Sequence, residues 1–207
     1  MTNFNFSDND RIEQVRTEIA LLAAKLIAEE GCEYGTAKRR AAKQLLGNQK
    51  INGNVLPDNQ QIEQEVREYH ALFYADSQPQ RLLELRSLAV DLMQKLEQFN
   101  PYLIGAAMNG TAGEHSDIYL HLYTDNSKDV AIYLLNLGID FEVSEHQGKR
   151  HEPLETLSFM YRNEGVHLLV HDYDDLKHTA RNDRADLNAV IALIETSNQE
   201  DNNSVLD

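Results

Sequence analysis

The stretch Gly105–Leu122 reads GAAMNGTAGEHSDIYLHL, and the fold turns on how it is read. An apolar run comes first, then a turn of small residues holding Gly110 and Gly113, then Ser116-Asp117 at the mouth of a second apolar strand. From Asp117 onward apolar and other residues alternate, which predicts a strand over Asp117–Tyr123. Residues two apart on a strand share a face, so Asp117, Tyr119 and His121 point the same way.

Outward from this stretch the chain divides. Downstream, Tyr102–Ala107, Ile139–Ser144, Leu154–Tyr161 and Val166–His171 also read as strands. Ser127–Leu137 is a helix between the second and third strands, and Asp174–Arg181 and Asp183–Glu195 are closing helices. Upstream the apolar period is helical. Ile12, Val15, Ile19, Leu22, Leu26 and Ile27 form one stripe, capped near Ser7 or Asp8 and ended by Gly31. Thr36–Leu46 is a short basic helix, followed by a loop from Asn48 to Pro57. Asp58 caps a third helix with Ile62, Val66, Tyr69, Leu72 and Phe73 on its inner side. A fourth runs from about Gln80 to Phe99, where Asn100-Pro101 breaks it. The expected fold class is α+β: a helical region over 1–99, a mixed sheet with flanking helices over 100–196, and a disordered tail over 197–207.

Composition narrows the function classes. With 34 acidic against 19 basic residues the formal charge is −15, which argues against non-specific DNA binding. Lys38, Arg39, Arg40 and Lys43 form one local basic patch, read as the solvated face of a helix or as a contact for RNA or another phosphate-bearing partner. The single cysteine, Cys32, permits no intrachain disulfide and no Cys-based zinc site. No stretch approaches the length of a membrane span, and the N-terminus lacks a basic and an apolar leader region. A cytoplasmic protein without membrane association is expected, and a homodimer would cover any surplus apolar helix face.

The residues of Gly105–Leu120 resemble the signature of the polymerase-beta-like nucleotidyltransferase superfamily, especially its small, minimal members. That signature is an apolar strand, Gly-Ser, a turn with a second Gly, then Ser-Asp-x-Asp on the next strand. Without a gap, Gly105-Ala106 falls on Gly-Ser, Gly110 on the second Gly, Ser116-Asp117 on Ser-Asp, and Tyr119 on the second Asp. The resemblance extends over about residues 100–175. It implies transfer of a nucleoside monophosphate from a nucleoside triphosphate to an acceptor, with Mg²⁺ as cofactor. Gly105, Ala106, Gly110, Thr111 and Ser116 would then shape the nucleotide-binding turn, and Asp117 would be a catalytic metal ligand.

The chemistry explains these residue types. Small residues let a triphosphate approach backbone amides. Two Mg²⁺ ions roughly 3.5–4 Å apart stabilise the attacking and leaving oxygens, and carboxylates hold such hard ions.

The chain departs from the pattern in three places. Ala106 lacks a hydroxyl. Tyr119 is a phenol with an ordinary pKa near 10, a poor Mg²⁺ ligand. The strand GVHLLVHD puts His167 where the third acid is usual, and imidazole suits other metals better. Asp117 is the surviving carboxylate, with Glu142, Asp140, Glu155 and Asp172 as alternative acids. Should the strand faces meet, Asp117, Tyr119, His121 and His167 would form one polar cluster, with His171 further along; it would be a remodelled transition-metal site or a set of ordinary hydrogen-bonded strand histidines. His146, Lys149, Arg150 and His151 flank Gly148 in a loop that would meet phosphates or form a polar hairpin. Two readings stand: a divergent nucleotidyltransferase, or a catalytically degenerate nucleotide-binding or protein-interaction module.

Overall fold

The structure, a computed structural model, describes residues 8–47, 55–146, 152–178 and 183–204. The chain forms two compact units, one of residues 1–78 with 113–115, the other of 79–112 and 116–207.

The first unit is helical. It contains α1 (Asp8–Glu30), α2 (Tyr34–Leu46) and α3 (Asn59–Phe73). The Glu33 carboxylate accepts the amides of Gly35 and Thr36 and so caps α2. Asp58 and Gln61 form a reciprocal capping box on α3. Ile19, Ala20, Ala23 and Ala24 of α1 pack with Ala37, Ala41 and Ala42 of α2 and with Ile62 and Val66 of α3. Small side chains at these contacts allow the helices to approach closely. The inner face of α3 ends earlier than its apolar pattern suggests. Leu72 and Phe73, expected inside, are 77% and 64% exposed. They belong to the last turn, where the stripe has rotated off the core, and the Phe73 ring lies tilted against Tyr69, with centroids 4.5 Å apart. The basic patch is engaged locally: Arg40 pairs with Glu30 at 2.7 Å and Lys38 donates to Asn59.

The second unit carries a five-stranded sheet of order β1-β2-β5-β4-β3. Its strands are β1 (Tyr102–Ile104), β2 (Ile118–Thr124), β3 (Glu142–Glu145), β4 (Glu155–Tyr161) and β5 (Glu164–Asp172). β2 and β5 are parallel, and the other pairs are antiparallel. The helices of this unit are α4 (Gln78–Lys95), α5 (Gly105–Asn109), α6 (Ser127–Asn136) and α7 (Leu187–Ser204). One sheet face is the core: Ile118, Leu120 and Leu122 of β2, Val166, Leu168 and Val170 of β5, and Leu157 and Phe159 of β4. Leu85, Ala89, Leu92 and Met93 of α4, Val130 and Leu134 of α6, and Val190 of α7 complete it. The fold is therefore α+β, with helices preceding a mixed sheet.

The details shift some expected boundaries. α4 packs on the sheet, so the units part at 78/79 rather than at 99/100. The first strand was expected over Tyr102–Ala107 but stops at Ile104. Gly105 takes a φ of +68°, turning the chain out of the strand, and Ala106, Ala107 and Met108 then favour a helical turn. The Asp174–Arg181 helix appears as a 3₁₀ turn over Tyr173–Lys177, with residues 179–182 outside the described set. α7 continues through Ser204, past the expected start of a tail at 197. The loop residues 147–151, including Gly148, Lys149, Arg150 and His151, also lie outside the described residues. Among the described residues no helix is long and apolar enough to cross a membrane.

Candidate functional site

The sheet face opposite the core gathers the polar side chains. Register sets its rows. Tyr119 of β2 lies opposite His167 of β5, His167 opposite Ser158 of β4, and Ser158 opposite Glu142 of β3. One step along, His121 faces Leu169 and Thr156; two steps along, Tyr123 faces His171. Asp117, just before β2, stands level with Gly165.

The entrance end of β2 is a hydrogen-bonded chain. His167 Nε2 lies 3.1 Å from Asp117 Oδ2, and His167 Nδ1 lies 2.9 Å from Ser158 Oγ. A carboxylate only accepts, so Nε2 carries the proton toward Asp117, leaving Nδ1 to accept from the Ser158 hydroxyl. The Tyr119 ring stacks on the His167 ring at 4.5 Å with planes 22° apart. Gly165 makes room for this arrangement. A Cβ there would sit 2.3 Å from Asp117 Oδ1 and 2.6 Å from its Cγ. The cluster is accessible: the Asp117 and His167 side chains are 43% and 25% exposed, and Tyr119 is 39% exposed.

The far end of the same strand pair is closed. His121 Nδ1 lies 3.2 Å from the Tyr123 hydroxyl, which accepts from Arg184 at 3.0 Å. The Arg184 guanidinium also covers the Tyr102 ring at 4.3 Å and donates to the Leu176 carbonyl. The His121 and His171 rings are 4.4 Å apart. Burial pushes the His121 pKa down to about 4, with His171 and Arg184 adding to the effect. Burial lowers His171 as well, and its Nε2 has no hydrogen-bond partner among the described residues.

The small-residue turn is a tight knuckle rather than an open cradle. The Ala106 carbonyl accepts the amides of Gly110, Thr111 and Ala112 at 3.0–3.1 Å. Asn109 Oδ1 accepts both the amide and the hydroxyl of Thr111, which is buried. Arg86 of α4, also buried, holds the knuckle from behind by donating to the carbonyls of Ala107 and Met108. Gly105 opens the knuckle beside the edge of the Tyr119 ring, and Ser116 precedes Asp117 at its exit.

The structure thus brings Asp117, Tyr119 and His167 together and places His121 and His171 on the same face. Glu142 is on that face but at the far edge strand, exposed, and three strand spacings from Tyr119, roughly 14 Å. Ser158 and Arg86 were not singled out by sequence reading. A serine within a strand and an arginine within a helix carry no local signal, and only pairing and packing reveal them.

The fit to Mg²⁺ is poor. Asp117 is the one carboxylate of the three expected positions, and it is engaged with His167. Tyr119 and His167 present stacked rings, a phenol and an imidazole, instead of carboxylates. Among the described residues no three or more His, Cys, Asp or Glu side chains are grouped to hold a metal ion. Comparison with family models, with curated proteins and with solved structures returns no match.

Proposed function

We propose that the chain is a nucleotidyltransferase-like protein that binds a nucleotide on the β2–β5 face and does not run two-metal transfer. The observation that carries this reading is the stacked Tyr119–His167 pair beside Asp117, occupying the register positions where further carboxylates would serve metal chemistry. A half-exposed phenol ring on a sheet is a stacking platform for a base, worth about 1–3 kcal/mol. Asp117 offers an acceptor for base or sugar donors. The strand–knuckle–strand order through Gly105–Asp117, with β5 parallel to β2, supports the resemblance.

Calorimetry with ATP, GTP, CTP and UTP, with and without Mg²⁺, tests it. Heats that survive removal of Mg²⁺ and vanish in Tyr119→Ala are expected. Background heats with all four nucleotides would remove the reading. Incubation with labelled triphosphates separates the alternative: product formed by wild type and lost in Asp117→Ala would establish active transfer. Tyr119→Asp restores an acid and is expected to make binding Mg²⁺-dependent.

A further inference from the structure

We propose that Ser158 is a nucleophile that accepts an acyl group from a small neutral ester, with His167 as its base and Asp117 as the positioning residue. The three groups are in sequential hydrogen-bond reach, at 2.9 Å and 3.1 Å, and they come from three adjacent strands. Such an array is defined by roles and geometry rather than by order in the chain. The antiparallel register of β4 and β5 sets Ser158 opposite His167. Gly165 vacates the space through which Asp117 reaches Nε2. Tyr119 lies against the imidazole plane and limits its rotation. These contacts fix the tautomer in which Nδ1 is the base.

In the acyl step Ser158 Oγ bonds to the ester carbonyl carbon, its proton passes to His167 Nδ1, and the carbon–oxygen bond to the leaving group breaks. The proton on Nδ1 then goes to the departing alkoxide or phenoxide, giving acyl-Ser158 and a free alcohol or phenol. Water reverses the sequence and releases the acid. The neighbourhood selects the donor. Tyr119 and Met160, 39% and 68% exposed, offer apolar surface on the same face, which a small uncharged acyl group would cover. Ser158 lies within an interior strand, opposite His167 of β5 and Glu142 of β3, where the ladders compete for the backbone amides an oxyanion would need. Each such donor is worth about 10²–10³ in rate. Slow acylation by activated donors, rather than fast turnover, is the expected behaviour.

The test uses the full chain with a fluorophosphonate probe and with p-nitrophenyl acetate. The probe reacts by forming the Ser158 Oγ–phosphorus bond and expelling fluoride, with the proton taken by His167. Wild type is expected to gain one probe minus HF, mapped to Ser158 by peptide mass. Ser158→Ala is expected to abolish labelling while keeping the wild-type melting profile. His167→Gln is expected to slow it by roughly 100-fold. Asp117→Asn is expected to slow it at least about tenfold, with partial rescue by Asp117→Glu, a recovery that a merely structural role would not produce. Folded wild type that remains unlabelled, or labelling that persists in Ser158→Ala, overturns the proposal. Neither outcome depends on whether a nucleotide binds.

Discussion

β2 and β5 carry imidazoles at both ends of their shared face, and the two ends are built in opposite ways. At the entrance end His167 is partly exposed and uses both nitrogens, one toward Asp117 and one toward Ser158. At the far end His171 is 4% exposed with an unpaired Nε2 among the described residues, and burial holds the His121 pKa down, with His171 and Arg184 adding to the effect. The same alternation in sequence yields both. What differs is the cover: the 3₁₀ turn Tyr173–Lys177 and Arg184 fold back over the far end, through bonds to Leu176 and Tyr123. The lesson is that a strand pattern assigns a face, while burial, and hence protonation, is assigned by whatever lies across it.

The largest effect is expected at the knuckle leading into the entrance end. Arg86→Met leaves the carbonyls of Ala107 and Met108 without their charged donor, which should cost about 3 kcal/mol in denaturant unfolding. Hydrogen exchange should quicken at residues 106–112 and 118–119 but not at 121–123. Equal acceleration at both ends would erase the contrast drawn between them.

Acid should weaken the far end. The folded His121 resists protonation until about pH 4, whereas the unfolded side chain takes a proton near its ordinary 6.5. Unfolding therefore binds protons between these values, so stability falls as pH falls through this window and is fully present above it. The contribution is on the order of 3 kcal/mol at most. His171, shifted in the same direction, steepens the slope. Denaturation curves at pH 7, 5.5 and 4.5 should show a shallower pH dependence in His121→Phe than in wild type; parallel slopes would count against a neutral, buried His121.

The smallest effect separates the entrance end cleanly. Gly165→Ala places a methyl where the Asp117 carboxylate lies, so that carboxylate must swing away from His167. A stability loss of about 1 kcal/mol is expected, because a partly exposed side chain has room to move. The His167 Nε2 proton resonance should shift, and those of His121 and His171 should not.

Part of the site was legible before the fold. Alternation put Asp117, Tyr119 and His121 on one face and His167 and His171 on another, and the faces do coincide. The three-helix start, its caps at Asp58, and strands β2, β4 and β5 also follow from local pattern. The knuckle did not, because Gly105-Ala106-Ala107-Met108 reads as apolar strand until a positive φ at Gly105 ends it. Nor did the partners of its amides, which were expected to face phosphate and instead converge on one carbonyl. Ser158 was invisible because nothing within its own strand distinguishes it from a solvent-facing serine.

By itself the sequence determined the order of the elements, their caps and which side chains share a face, since these depend on periods of two or 3.6 residues and on neighbours in the chain. Tertiary structure alone decided that β5 lies parallel beside β2 and antiparallel beside β4, which sets His167, 50 residues beyond Asp117 in the chain, within hydrogen-bond reach of it and of Ser158. Strand pairing is chosen by burial of the opposite face, Leu120 against Leu168 and Leu157, and the polar chemistry on the exposed side inherits whatever register that core imposes.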